Sequence, residues 1–255
     1  MKKGLKRKLR DRDEVVCAFL RIPDPAVAEI MALSGVEMFV IDMEHYVFDL
    51  QTVQNIVRAA ELYGAECLIR VTDSEHGLIG RVLDLGASGI LLADAVDSNQ
   101  VRKLVEAVKY PPIGTRGAST DSRAGRYGYF NALPQQYPQI MNDKTVIGAI
   151  IETKSAIADL DQILAISELD FVSVGTMDLT FAFGVPGETN HPEIIEIKRE
   201  ICRRVIASGK SALDKTPNQI ALDEARQSGI NCLYINSDTT LLKKGVDDLI
   251  GIIRA

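Results

Sequence analysis

"VIGAIIE", residues 146–152, decides the fold: six residues without a polar side chain run together and stop at a carboxylate. A strand with one wet face alternates apolar and polar residues. This one does not, so both of its faces must be buried, as in a parallel sheet covered by helices. Seven further runs share the pattern: "EVVCAFL" (14–20), "VEMFVIDM" (36–43), "AECLIRV" (65–71), "GILLAD" (89–94), "LDFVSVG" (169–175), "KSALD" (210–214) and "NCLYIN" (231–236).

The stretches between them have helical periodicity. Asp49 is placed to cap a helix with Leu50, Val53, Val57 and Ala60 along one side, and Gly64 to end it. Ile194, Ile197, Ile201 and Val205 stripe a second helix stopped by Gly209, and Leu242, Val246, Leu249 and Ile253 stripe the last. Eight strand-and-helix units in 255 residues predict an α/β fold of the (β/α)8 TIM-barrel type, a single domain over residues 1–255. A doubly wound open sheet is the alternative. No Gly-rich phosphate fingerprint follows any strand, which argues against dinucleotide binding.

A formal charge of −6 argues against nucleic acid as a partner, and no apolar run approaches a membrane span. The basic opening "KKGLKRKLRDRD" (2–13) has no apolar core of a signal peptide and reads as a solvated surface helix. Cys17, Cys67, Cys202 and Cys232 have neither zinc nor disulfide spacing, so buried free thiols in a cytoplasmic protein are expected. "YPPIGTRGASTDSRAGRYGYF" (110–130) is a long polar loop between two barrel units, a kind that is usually functional or disordered.

In a barrel enzyme the chemistry sits at the C-terminal ends of the strands. There the second run places Asp42, with Glu44 and His45 just beyond, the third Arg70, the fifth Glu152, and the sixth Asp178 within "GTMDLT" (175–180). All fall on one rim. Each has a plainer role open to it. Asp42 suits a turn or cap, His45 an exposed turn, Arg70 a structural ion pair, and Asp178 a helix N-cap. Glu152 is the hardest to explain away, because a carboxylate at the end of an apolar strand needs a partner. Glu44, Asp84 and His76 are ambiguous, His76 reading as a helix-surface residue. Two carboxylates from adjacent strands suggest a hard divalent cation, Mg²⁺ or Mn²⁺, acting as a Lewis acid on a bound carbonyl. Arg70 would stabilise an enolate oxygen, and His45, oriented by Asp42, would transfer protons.

With these residues in view, the chain resembles the HpcH/HpaI class II pyruvate aldolases, typified by 4-hydroxy-2-oxoheptanedioate aldolase. The similarity runs over nearly the whole chain, through "FVIDMEHYVFD", "CLIRV", "LDLGASGI", "YPPIGTRG", "IIET", "GTMDLT", "PGETNHPE" and "DTTLL". The resemblance implies a phosphoenolpyruvate/pyruvate-domain barrel that cleaves a 4-hydroxy-2-oxo acid to pyruvate, or a related 2-oxo acid, and an aldehyde. It places a divalent metal (Mg²⁺, Mn²⁺ or Co²⁺) on Glu152 and Asp178, Arg70 on the pyruvyl oxygen, and backbone amides near Met177 and Asp178 on the carboxylate. It gives acid–base work to His45 with Asp42, puts Asp84 near a subunit boundary, and suggests aromatic compound catabolism. It also implies a hexamer, a trimer of dimers, with the C-terminal helix exchanged between subunits.

Three stretches depart from the family pattern. "LADAV" (92–96) stands where a proline-containing segment is usual, "GTMDLT" replaces "GPADLS", and "KSALDKTPNQ" (210–219) adds Asp214 and Lys215 where an apolar Gly-rich stretch is usual. The alternatives are an oxaloacetate decarboxylase or another enolate-forming lyase, and a barrel that binds a 2-oxo acid without turnover. A Schiff-base aldolase would need a lysine at the end of the fifth or sixth run, and none is there.

Overall fold

A computed structural model describes residues 3–130, 133 and 135–254. Its strands are β1 (Val15–Leu20), β2 (Met38–Asp42), β3 (Glu66–Val71), β4 (Gly89–Leu92), β5 (Val146–Ile151), β6 (Phe171–Val174), β7 (Ser211–Lys215) and β8 (Cys232–Ser237). The helices are α1 (Leu5–Asp11), α2 (Pro25–Leu33), α3 (Leu50–Leu62), α4 (His76–Asp84), α5 (Ser98–Val108) and α6 (Tyr137–Lys144). After β5 come α7 (Lys154–Ala158), α8 (Leu160–Leu164), α9 (Thr176–Ala182), α10 (Pro192–Ala207), α11 (Gln219–Gln227) and α12 (Asp238–Arg254). All eight apolar runs form strands, and each strand pairs in parallel with the next until β8 closes on β1. The protein is a (β/α)8 barrel.

The unbroken apolarity has a direct structural cause. Cys17, Val40, Leu68, Leu91, Ile150 and Phe171 point into the barrel and pack on one another. Their neighbours Ala18, Ile41, Ile69, Ile90, Ile151 and Val172 point outward beneath the helices. Both faces exclude water, so a polar side chain is tolerated only near a strand end. The expected helix signals operate as read. Asp49 accepts the Thr52 amide at 2.9 Å, and Gly64 adopts φ +78° after α3, a conformation that favours glycine. All four cysteines are buried and free. No helix among the described residues is long and apolar enough to cross a membrane.

One expectation needs correction. The basic opening is not a solvated helix: Leu5 and Leu9 of α1 are buried against Val15, Val146 and Phe171, so α1 plugs the N-terminal end of the barrel. The two leucines sit one turn apart and share a face, which the surrounding basic residues mask in the sequence. The loop 110–130 links α5 to α6 and β5. It therefore lies beside the strand N-termini, at the end opposite Asp42, Arg70 and Glu152.

Under α1 lies a buried cationic cluster. Lys6 Nζ and Lys109 Nζ both donate to the Thr145 carbonyl at 2.8 Å. Lys6 is neutralised by Asp170 at 2.7 Å, while Lys109 meets only carbonyls, Thr145 O and, at 2.7 Å, Asn142 O. Burial, reinforced by Lys6, pushes the Lys109 amine down to about 7. Its folded-state affinity for protons is thus lower than in the unfolded chain, so stability rises with pH between about 7 and 10. Lys109→Met should flatten that rise by up to about 1.4 kcal/mol per pH unit. Urea unfolding at pH 7, 8 and 9 would show it, and parallel slopes for variant and wild type would refute it.

Candidate active site

Parallel register sets the site. Asp42 pairs with Arg70 across β2 and β3, and Leu20 pairs with Ile41 across β1 and β2, so Arg21, Asp42 and Arg70 stand side by side at one level of the rim. Asp42 has no exposed surface; its Oδ1 takes Arg70 Nε at 2.9 Å and its Oδ2 takes Arg70 Nη2 at 2.7 Å. This bidentate fork fixes the guanidinium plane. The Arg70 guanidinium also lies 5.4 Å from the Phe19 ring centroid.

Asp42 does not orient the His45 imidazole as expected. It accepts the His45 backbone amide at 3.3 Å, so it shapes the turn, and the ring projects into solvent with Nε2 3.6 Å from Glu44 Oε2. A residue three positions past a strand end offers the strand-end carboxylate its amide before its side chain.

On the other side, Glu152 is 6% exposed and accepts the Asp94 amide on Oε1 at 2.6 Å. Burial pushes its carboxyl up to about 7; the Asp94 amide opposes this, and the nearby Asp178 and Glu44 carboxylates reinforce it. Asp178 is not an N-cap: α9 begins earlier, capped by Gly175, and Asp178 occupies the first turn facing the mouth. Carboxylates crowded beside a buried glutamate are a poor arrangement by themselves and a good one around a cation. Glu152 and Asp178 therefore fit a hard divalent ion held by two carboxylates, with the remaining positions left to water or substrate.

Gly175 makes this approach possible. A Cβ there would lie 1.9 Å from Glu152 Oε2 and 2.6 Å from Glu152 Cβ.

The groups open into one cavity of about 720 Å³. Arg21, His45, Arg70, Glu152, Met177 and Asp178 line it, together with Asn190, Lys198, Asp214 and Lys215. Met177 is 52% exposed there. Asp214 pairs with Lys198 at 2.7 Å, and Lys215 is exposed.

Asp84 stands apart. It ends α4, near the N-terminal end of β4, and Arg116 Nη2 holds its carboxylate at 2.6 Å. Within one chain it therefore cannot join the rim; only a neighbouring copy could bring it to a reaction centre. His76, as expected, is exposed at the start of α4. Arg21, Lys198 and Gly175 were not singled out from sequence. Arg21 alone left a signal, as a charged residue directly after an apolar strand.

The model of the HpcH/HpaI aldolase/citrate lyase family matches residues 16–243. The chain belongs to that family. It is a carbon–carbon lyase of the aldolase type. Over 254 residues it is 31% identical to the 2-keto-3-deoxy-L-rhamnonate aldolase of Escherichia coli (strain K12), covering 98% of this chain and 92% of that protein. Among solved structures, the HpcH/HpaI aldolase from Desulfitobacterium hafniense DCB-2 superposes with a TM-score of 0.91 at 27% identity, covering 99% and 97% of the two chains. The citrate synthase SbnG does so with a TM-score of 0.89 at 25% identity, covering 98% and 97%. Members of the family are generally divalent-metal-dependent aldolases.

The packing at Gly175 yields a prediction. Gly175→Ala should displace Glu152, weaken Mn²⁺ binding by at least about tenfold and lower the thermal midpoint by a few degrees. Calorimetric titration with Mn²⁺ tests this, and wild-type affinity in the variant would refute the placement.

Proposed function

We propose that the chain is a divalent-metal-dependent aldolase that cleaves a 4-hydroxy-2-oxo acid to pyruvate, or a related 2-oxo acid, and an aldehyde. The observation that carries this is the convergence of Glu152 and Asp178 with Arg70 and His45 in one cavity at one rim. A divalent cation (Mg²⁺, Mn²⁺ or Co²⁺) held by Glu152 and Asp178 would polarise the 2-oxo group as a Lewis acid. In the cleavage direction the 4-hydroxyl loses its proton, the C3–C4 bond breaks, and its electron pair moves towards the 2-oxo oxygen. Arg70, with its plane fixed by Asp42, stabilises the charge developing there. His45 stands exposed at the mouth, where an imidazole can take the hydroxyl proton and later return one to C3. The amides of Met177 and Asp178, in the first turn of α9, would meet the substrate carboxylate.

The same cavity, about 720 Å³, is also lined by Asn190, Lys198, Asp214 and Lys215, which leaves room for an aldehyde fragment that decarboxylation of oxaloacetate would not use. Free, buried thiols suit a reducing cytoplasm. α12 turns Leu242, Val246, Leu249 and Ile253 outward, all more than half exposed. That stripe supports a homo-oligomer, a hexamer with α12 exchanged between subunits. Light scattering at micromolar protein should give about six chain masses, and a monomer would reject the assembly.

The catalytic reading is tested by pyruvate formation from a panel of 4-hydroxy-2-oxo acids and oxaloacetate. Wild type and Glu152→Ala are assayed with Mg²⁺ or Mn²⁺ and again with a chelator. Metal-dependent cleavage of a hydroxy-oxo acid, reduced about a hundredfold or more in the variant, is the expected result. Turnover of oxaloacetate alone would favour decarboxylation, and silence across the panel would reject this substrate class.

A further inference from the structure

The wall around Arg70 carries more negative charge than one guanidinium balances. Asp42 takes two of its hydrogen bonds, and Glu44 Oε2 lies 3.0 Å from Arg70 Nη1. That glutamate oxygen is buried and has no hydrogen-bond donor: the Arg70 contact is charge against charge without hydrogen-bond geometry. Two carboxylates on one guanidinium leave a net negative charge beside the place where an enolate oxygen would develop. Such an arrangement opposes the reaction instead of assisting it.

Arg21 is the second cation. Its Nε lies 3.3 Å from Asp42 Oδ2, and its Nη1 is 3.3 Å from Ser237 Oγ at the end of β8. Its guanidinium stacks 5.1 Å from the ring centroid of Tyr46, the residue after His45. The backbone is held as firmly: the amides of Arg21 and Ile22 each donate to Asp238 Oδ2 at 2.9 Å, and Asp238 is itself buried. Main chain and side chain are both anchored, which a solvated surface arginine would not require.

We infer that Arg21 is a positioning residue for the reaction. It supplies the positive charge that balances the Asp42–Glu44 pair, so that Arg70 faces the developing enolate with its own charge effective, and it holds Tyr46 and the turn that carries His45. This role rests on the reading above that an enolate forms beside Arg70.

The test separates charge from shape. Arg21→Met keeps much of the bulk and removes the charge, whereas Arg21→Lys keeps the charge without the planar fork. The probes are exchange of the pyruvate methyl protons with solvent, and calorimetric binding of oxalate, a planar dianion shaped like the enolate, both in Mn²⁺. In Arg21→Met, exchange should slow and oxalate binding weaken on the order of tenfold, and Arg21→Lys should recover most of both. Binding of Mn²⁺ alone should be unchanged or tighter in Arg21→Met, because lost positive charge favours a cation. Weakening of Mn²⁺ and oxalate together would signal a distorted site and overturn the inference. Equal behaviour of the Met and Lys variants, or full oxalate affinity in Arg21→Met, would overturn it too. No exchange and no oxalate binding by the wild type would reject the enolate reading itself, and this role with it.

Discussion

Asp42 is a charged side chain with no exposed surface, and much of the rim is arranged around it. Removing a carboxylate from water costs several kcal/mol unless its oxygens are met by donors of opposite charge. Here the donors come from the strands on either side, because parallel register aligns Arg70 of β3 with Asp42 and brings Arg21, just past β1, to the same level. Neither arginine is near Asp42 in sequence. The alignment of three strands joins them, so the interaction exists only once β1, β2 and β3 have paired in register.

The same burial explains why the polar groups are concentrated where they are. Along each strand, alternate side chains enter the barrel interior or the layer beneath the helices, and both are dry. Charged residues are therefore excluded from strand interiors and collect at the ends. The N-terminal end is sealed by α1 and its lysine cluster, whereas the C-terminal end remains open as a cavity. One end is thus used for closing the barrel and the other for chemistry.

Much of this was legible in the sequence. The eight strands, the Asp49 cap, the stop at Gly64 and the polar strand ends at Asp42, Arg70 and Glu152 each depend on local pattern, and local pattern is what a sequence displays. What failed depended on geometry between segments. Arg21 looks like the first residue of a loop until register sets it against Asp42. Three residues of separation suggested that Asp42 would grip the His45 ring, but the turn presents the backbone amide instead. Asp178 resembled a cap because the start of α9 was placed too late, and α1 resembled a solvated helix because its charges outnumber its two buried leucines. Gly175 is silent in the sequence, since its importance is the absence of an atom beside Glu152.

The stretches that depart from the family pattern bear on charge. Asp94 adopts φ +48°, uncommon for a residue with a side chain though more tolerable for aspartate than for most. That backbone aims its amide at Glu152 and leaves its carboxylate exposed on the side of the mouth that holds Glu152 and Asp178. The opposite side carries Arg21 and Arg70. The β4–β6 side of the cavity thus carries carboxylates, whereas on the β1–β3 side the two guanidiniums balance Asp42 and Glu44. In the proposed reaction a cation held by Glu152 and Asp178 would face Arg70, and an oxygen gaining negative charge between them would be stabilised by both. Asp214 and Lys198 neutralise each other, so of the charges that "KSALDK" brings to the cavity wall it is Lys215 that adds an exposed positive charge.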